Sequence, residues 1–175
     1  MFSTIVVLVL LAIIGVLIYA ATKPDTFKIE RTTLINAAPD KIFPMINELR
    51  KWDDWSPWEK LDPNMKKSFT GSASGKGAVH EWEGNMTVGA GRMEITDSTP
   101  SSKVQIKLDF IKPCEGHNFA EFNLLPEGNT TKVTWLMYGP MTYPRKVMSL
   151  LCRMDNMVGK QFDQGLAALK DLSEK

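Results

Sequence analysis

The sequence predicts an α+β domain made of one antiparallel sheet and a long C-terminal helix, with a separate apolar helix ahead of it. Three observations support this. Residues 4–21 form an uncharged apolar run, the middle of the chain alternates between apolar and polar residues, and apolar residues recur every three or four positions from about Pro144 to Ser173. Runs of strands followed by a helix are typical of α+β domains with an antiparallel sheet.

The apolar run predicts a membrane anchor. Thr4 to Ala21 is eighteen residues without a charge, about 27 Å of helix, which is close to the hydrocarbon thickness of a bilayer. The alternative is a cleaved signal peptide, which has a basic residue ahead of a shorter apolar core. No Lys or Arg precedes this run. We therefore predict a single transmembrane helix in residues 1–22 and one soluble domain in residues 23–175.

The flanking charges favour a cytoplasmic position for the soluble domain. Lys23, Lys28 and Arg31 follow the apolar run closely, and basic residues concentrate on the cytoplasmic side of single spans. The two cysteines, Cys114 and Cys152, form no spacing motif. This agrees with a reducing compartment but leaves one disulfide possible.

The soluble part is predicted to contain one strand, two short helices, about six further strands and then the long helix. Phe27 to Ile35 is rich in β-branched and apolar residues and predicts the first strand. Pro39 suits the start of a helix, which Ile42 and Ile46 continue. The remaining predicted strands are Met65–Thr70, Ala78–Glu83, Gly91–Thr96, Lys103–Ile111, Asn118–Leu125 and Lys132–Tyr138.

Strict alternation in the strand that begins at Lys103 indicates a sheet with one buried face and one wet face. Val104, Ile106, Leu108 and Phe110 share one side, and polar residues share the other. The C-terminal helix carries a continuous apolar stripe. We expect this helix to cover the apolar face of the sheet, because no other segment has enough apolar surface.

Two patterns that suggest chemistry have simpler explanations. The stretch from Gly71 to Gly77 resembles a phosphate-binding loop, but that motif needs four residues between its first two glycines and a Ser or Thr after the Lys. It therefore predicts a hairpin loop. The only two histidines, His80 and His117, are not accompanied by enough other ligands for a zinc site. We expect no metal and no cofactor.

The tryptophans Trp52, Trp55 and Trp58 recur at three-residue spacing, which places them on one side of a helical turn. They fit the core, where short helices cap the sheet. The alternatives are the rim of a ligand pocket or a belt at the membrane interface, a zone that Trp favours.

Five segments carry a resemblance to a known superfamily. They are ERTTLINAAPDKIFPMINELRKWDDWSPW, HEWEGN, GAGRMEITDS, KVTWLMYGPM and MDNMVGKQFDQGLAALKDL, within about Phe27 to Lys175. The chain resembles the START-like, or SRPBCC, superfamily, and most closely its polyketide cyclase/dehydrase and lipid-transport branch. The resemblance implies a helix-grip fold, in which a curved antiparallel sheet of about seven strands wraps around a long C-terminal helix. It also implies a deep cavity for lipids, sterols, polyketides, quinones or other apolar ligands.

The strand alternation and the helical stripe predict which side chains line this cavity. His80 and Glu121 are the possible polar groups, and no catalytic signature is transferable. The predicted ligand-binding residues are Trp55, Trp82, Phe110, Phe122, Trp135, Met137, Met154 and Met157.

Three functions fit these expectations. The first is a membrane-tethered binder or carrier of a hydrophobic small molecule or lipid. The second is a cyclase or dehydratase with an acid/base pair drawn from His80, Glu81, His117 or Glu121. The third is a protein-interaction module whose cavity is filled by its own side chains. Basic and acidic residues nearly cancel, 21 against 20, so we expect no nucleic-acid partner.

Overall fold

The computed structural model describes residues 2–151 and 154–175. An apolar helix α1 (Phe2–Ala21) precedes strand β1 (Thr26–Ile35). A helical layer follows, with α2 (Pro39–Asn47), a 3-10 turn (Leu49–Lys51), α3 (Trp52–Trp55) and α4 (Pro57–Leu61). The other strands and helices are β2 (Lys66–Gly71), β3 (Ala78–Glu83), β4 (Ala90–Thr99), β5 (Lys103–Lys112), β6 (Gly116–Glu127), β7 (Thr130–Pro140), α5 (Tyr143–Leu151) and α6 (Met154–Ser173).

The seven strands form one antiparallel sheet in the order β1-β7-β6-β5-β4-β3-β2. The first strand therefore closes onto the last, while strands β2 to β7 follow one another as hairpins. This confirms the predicted α+β class and the sheet of about seven strands. The glycine-rich stretch connects the antiparallel strands β2 and β3, as predicted for a hairpin loop, and Gly71, Gly75 and Gly77 in it all have positive φ.

The core lies between the concave face of the sheet and α6. Alternate residues of β5, β6 and β7 point into it, including Ile106, Phe122 and Val133. From α6, the buried side chains are Phe162, Leu166 and Leu169, at steps of four and three residues. The amphipathic stripe therefore meets the apolar face of the sheet, as expected for a helix-grip fold.

The tryptophan-rich segment is fixed to the end of α2 by two indole hydrogen bonds. Trp52 Nε1 donates to the carbonyl oxygen of Ile46, and Trp55 Nε1 donates to that of Met45, both at 2.9 Å. Both rings are buried. Of the three interpretations of these tryptophans, the core interpretation fits Trp55, and Trp52 is a core residue whose ring also borders a cavity described below.

The C-terminal helix was predicted as one element from about Pro144 to Ser173. The structure describes two helical segments, α5 and α6, and residues 152–153 between them lie outside its described residues. Helix α5 lies against α1, where the Tyr143 hydroxyl donates a 3.0 Å hydrogen bond to the carbonyl oxygen of Leu17. Helix α6 packs on the sheet.

Helix α1 is long and apolar enough to cross a membrane. Nearly all of its described side chains are exposed, unlike those of a core helix in a soluble protein. A signal sequence near the N-terminus has the same length and composition.

Candidate functional site

A cavity of about 280 Å³ lies between the concave face of the sheet, the tryptophan-rich segment and α6. Its lining is predominantly aromatic, aliphatic and Met side chains. The lining residues are Trp52, Ser56, Trp58, Glu59, Met65, His80, Trp82, Thr87, Val88, Met93, Ile106, Leu108, Phe110, Lys112, Pro113, Cys114, Ala120, Trp135, Met137, Val158 and Phe162. Such a cavity suits an apolar ligand.

Aromatic packing around Trp135 fixes one wall of this cavity. The Trp135 ring stacks on Phe162 with centroids 4.1 Å apart and planes 5° apart. Trp58 meets Trp135 edge-on at 5.6 Å. Contacts of this kind favour defined ring orientations, and the α6 side chain Phe162 is part of this wall.

His80 is the most buried titratable side chain in the lining. It lies on β3, is 1% exposed, and stacks on Phe69 with centroids 4.5 Å apart. Neither ring nitrogen has a hydrogen-bond partner within the part of the chain that the structure describes. Burial, reinforced by the positive charge of Lys67, lowers the pKa of His80 to about 4. The imidazole is therefore neutral at pH 7 and offers one N–H donor and one nitrogen acceptor.

Trp135 contributes a second polar atom. Its Nε1 is buried and has no hydrogen-bond partner among the described residues. Buried indole N–H groups are normally paired, as those of Trp52 and Trp55 are here. The lining thus holds an indole donor and an imidazole whose hydrogen-bonding capacity the described residues do not use.

The cavity opens at one edge of the sheet. Its exposed lining residues are Thr87, in the β3–β4 connection, and Lys112, Pro113 and Cys114, around the β5–β6 connection. Val158, near the start of α6, lies at the same end. Cys114 is free and exposed, whereas Cys152 lies outside the described residues.

The structure brings five of the sequence-predicted site residues together. The lining contains Trp82, Phe110, Trp135 and Met137, together with the predicted polar group His80. Their alternation on β3, β5 and β7 predicted that all five lie on the concave face, and all five border the cavity there.

Two predicted aromatic residues lie in the closed core and not in the cavity. Trp55 and Phe122 are almost fully buried and pack edge-on with centroids 6.0 Å apart. Alternation identifies the inward face of a strand but not which stretch of that face borders empty space. Trp55 instead lies beside a second, more open depression near α2.

Glu121 lies on the convex face, contrary to the prediction. It follows Ala120 and precedes Phe122, both of which point inward, and successive strand residues point to opposite faces. Its carboxylate accepts hydrogen bonds from Gln105 and Asn123 and pairs with Lys103 at 3.0 Å. Although burial raises the pKa of Glu121, these hydrogen bonds outweigh it and hold the pKa below its usual value.

Of the two methionines of the long helix predicted to bind ligand, only Met157 has a described side chain, and it is not a lining residue. Met157 is 69% exposed. The buried side of α6 contains Val158 and Phe162, and Met157, one residue before Val158, points to a different side of the helix. The side chain of Met154 lies outside the described part of the structure.

The other candidate acid/base residues lie away from the cavity. Glu81 is exposed and faces Arg92 at 3.8 Å. His117 is exposed and its Nδ1 is 2.7 Å from Asp109 Oδ1. Of the four residues considered for acid/base chemistry, only His80 lies in the cavity.

Sequence reasoning missed several lining residues. Leu108 lies on the apolar face of β5, and Phe162 belongs to the helical stripe, so both carried the signal that identified Phe110. Of the three evenly spaced tryptophans, both Trp52 and Trp58 reach the cavity, and Trp58 is the half-buried one. For Trp58 the pocket-rim interpretation fits.

Comparison with known proteins agrees with this arrangement. The model of a family described as polyketide cyclase / dehydrase and lipid transport matches residues 26–174. The chain belongs to this family. Among curated proteins, none matches the chain in sequence.

Solved structures show the same fold at low sequence identity. Protein CV1439 from Chromobacterium violaceum superposes with a TM-score of 0.59 at 13% identity, over 87% of this chain and 99% of that one. The Aha1 dimer from Colwellia psychrerythraea gives 0.56 at 17% identity, over 85% and 96%. The di-domain ARO/CYC protein BexL from the BE-7585A biosynthetic pathway gives 0.61 at 12% identity, over 90% of this chain and 53% of BexL. These likenesses establish the helix-grip fold.

Proposed function

We propose that this family member is a membrane-tethered protein that binds one hydrophobic small molecule or lipid-like molecule carrying a polar oxygen or nitrogen. The supporting observation is the apolar cavity of about 280 Å³ with His80 and Trp135 in its lining. Both residues bury polar atoms that have no partner in the described structure. An unpaired buried polar atom is costly, and a ligand that paired with it after a small turn of the side chain would relieve that cost.

The size of the cavity favours one compact ligand. Small-molecule sites usually measure about 300–1,000 Å³, and this cavity of about 280 Å³ lies just below that range. The open mouth allows a longer apolar molecule to extend outward past Thr87 and Pro113. The hypothesis of a filled cavity has less support, because open space remains between the sheet and α6.

We further propose that α1 is a transmembrane anchor and that the ligand-binding domain lies in the cytoplasm. The exposed apolar surface of α1 supports the anchor, and the basic residues Lys23, Lys28 and Arg31 after it support the orientation. Tethering keeps the cavity close to the bilayer, where apolar molecules concentrate.

Ring closure or dehydration of a bound molecule is a second candidate function. The position of His80 in the cavity favours it, because a neutral imidazole can accept a proton from a bound substrate. A cyclase would convert its ligand, whereas a carrier would release it unchanged. Recovering the bound molecule before and after incubation with His80→Phe and unaltered protein separates the two.

The binding proposal is tested by removing the indole N–H alone. Trp135→Phe keeps an aromatic ring but deletes the donor, so a ligand that accepts its hydrogen bond is retained about 5- to 30-fold less well, corresponding to about 1–2 kcal/mol. The measurement is native mass spectrometry of the detergent-extracted full chain, which records the fraction carrying a co-purified mass.

Trp55→Phe is the matched control. Its indole N–H is paired with Met45 and lies outside the cavity lining, so this variant loses stability but keeps the ligand. Equal retention of ligand in both variants would contradict the role of Trp135, and absence of any bound mass from the unaltered chain would contradict the binding function itself.

A further inference from the structure

The cavity mouth and the apolar helix lie at the same end of the strands. We call this end of the sheet the anchor-side edge. Strand register defines this anchor-side edge, since Thr26 pairs with Pro140 and Phe110 pairs with Gly116. Across the rest of the sheet, Lys112 pairs with Ala90, and Glu83 pairs with Lys66. The chain leaves α1 and enters β1 at one end of this edge, and the exposed cavity residues lie along it.

The connection between α1 and this edge is short and held in place. Four residues, 22–25, separate Ala21 from Thr26, so these two residues can lie at most about 18 Å apart. Lys146 of α5 is buried and pairs with Asp25 in this connection at 2.6 Å. Tyr143, also of α5, donates to the carbonyl oxygen of Leu17 within the apolar helix. If α1 spans a bilayer, the anchor-side edge therefore lies close to the membrane surface.

Helix α5 also connects this anchoring to the cavity mouth. Arg145 donates a hydrogen bond to the carbonyl oxygen of Glu115, in the β5–β6 connection beside Cys114. Helix α5 thus contacts the apolar helix, the four-residue connection and the rim of the cavity. These contacts set the direction of the cavity mouth relative to α1.

Exposed apolar side chains cluster at the same edge. Met86, in the β3–β4 connection, is 90% exposed, and Ile111, at the end of β5, is 59% exposed. Asn85 Nδ2 donates to the carbonyl oxygen of Leu61, which places the end of α4 beside Met86. We name the apolar rim as Leu61, Met86, Ile111, Tyr143 and Met157, all exposed. The loops at the opposite edge, at residues 72–77, 100–102 and 128–129, consist of small and polar residues and a proline, and the exposed large apolar side chains near them are Leu34 and Leu125.

We propose that the apolar rim enters the headgroup and acyl boundary of the bilayer that holds α1, so that the cavity opens directly onto lipid. This inference rests on the proposed membrane tether. Apolar side chains that dock on a membrane reach about 5–10 Å into this boundary. An apolar ligand then passes between bilayer and cavity without crossing water. Lys112 is paired with Glu83 at 3.2 Å at this edge, and the rim residues themselves are uncharged, so we expect docking on neutral lipid as well.

Site-directed labelling of the full chain tests this proposal. In a Cys114→Ser, Cys152→Ser background, a single cysteine is placed by Met86→Cys or Ile111→Cys and labelled with the environment-sensitive dye NBD. Leu125→Cys is the matched control, because Leu125 is 57% exposed but lies near the opposite edge. Each chain is reconstituted in phosphatidylcholine vesicles with and without a lipid that carries a nitroxide on its acyl chain.

The labels at 86 and 111 should lose fluorescence to the nitroxide lipid, as expected for groups that reach the acyl boundary, while the label at 125 is unaffected. Equal quenching at all three positions would overturn the proposal. Vesicle flotation checks the tether, and a chain that fails to float overturns tether and docking together. If the chain floats and retains its co-purified ligand but positions 86 and 111 are not quenched, the docking proposal alone is wrong.

Discussion

At His80, burial and the positive charge of Lys67 both lower the pKa of the imidazole, and they outweigh the opposing effect of Asp53. The ring stacks on Phe69 inside the sheet, and Lys67 adds positive charge nearby, so the pKa falls to about 4. An unfolded histidine takes up its proton near pH 6.5. Between pH 6.5 and 4 the unfolded chain therefore binds more protons at this residue than the folded chain, and stability falls as the pH is lowered.

His80→Phe should remove this part of the pH dependence. From pH 7.5 to pH 4, the free energy of unfolding of the unaltered protein should drop by up to about 3 kcal/mol more than that of the variant. Urea unfolding of both proteins at the two pH values measures the difference. Parallel curves would show that His80 is protonated equally in both states and that its burial does not shift its pKa.

Single residues also show how far alternation can predict a site. The inward position of His80 and Trp82 on β3 follows from the two-residue period of a strand. The same rule excludes Glu121 from the cavity, because Phe122 next to it points inward. Alternation could not show that Phe122 on β6 lies in the closed core, whereas Phe110 on the neighbouring strand β5 borders the cavity. That distinction depends on how α6 and the tryptophan-rich segment lie over the sheet.

At the scale of the elements, strand β4 passes very close to the Trp82 ring of the cavity wall at Gly91. A Cβ at this position would meet the Trp82 ring and lie 2.7 Å from the backbone oxygen of Asp109. The strand is also irregular here, with a register shift between Ala90 and Gly91. The small residue lets β4 pass beneath a large ring that lines the cavity.

Gly91→Ala should therefore push Trp82 toward the cavity. We expect a loss of about 1–3 kcal/mol in the free energy of unfolding from overpacking, together with a lower fraction of chain carrying bound ligand. Urea unfolding and native mass spectrometry measure the two effects. Gly128→Asn, on the β6–β7 turn, is the control, because Asn tolerates its positive φ and no described atom lies within 4 Å of the added Cβ. Unchanged stability in Gly91→Ala would mean that Trp82 moves aside freely.

The elements themselves were largely predictable, and their ends were not. All seven strands occur where turn residues and β-branched runs placed them, but β6 extends from Gly116 to Glu127, beyond the predicted Asn118–Leu125. Hydrogen bonding to both neighbours prolongs a strand past the part that its apolar residues mark. On α6, the 3- and 4-residue steps admit both Met157 and Val158, and packing alone selects Val158.

At the scale of the whole molecule, the chain divides between an apolar helix and a domain with its own core. Every strand and the entire core cluster begin at or after Thr26, and the family match begins at the same residue. In α1, Ala20 is the only described side chain that is buried. The helix therefore contributes contacts to α5 but no part of the core.

Deleting residues 1–22 should release a folded, soluble domain from the membrane. We expect a shift of only a few degrees in the midpoint of thermal unfolding, since surface contacts such as Tyr143 to Leu17 contribute about 1 kcal/mol or less. The full chain should stay with the membrane fraction after carbonate washing, while the truncated chain appears in the supernatant. A cytoplasm-specific reporter fused after Lys175 should be active in the full-length protein, because the basic residues that follow α1 retain the domain on that side. A truncated chain that aggregates or lacks cooperative unfolding would place α1 in the fold. Release of the full chain by carbonate, or cleavage near Ala21, would instead favour a signal sequence, and the apolar rim would then have no bilayer held beside it.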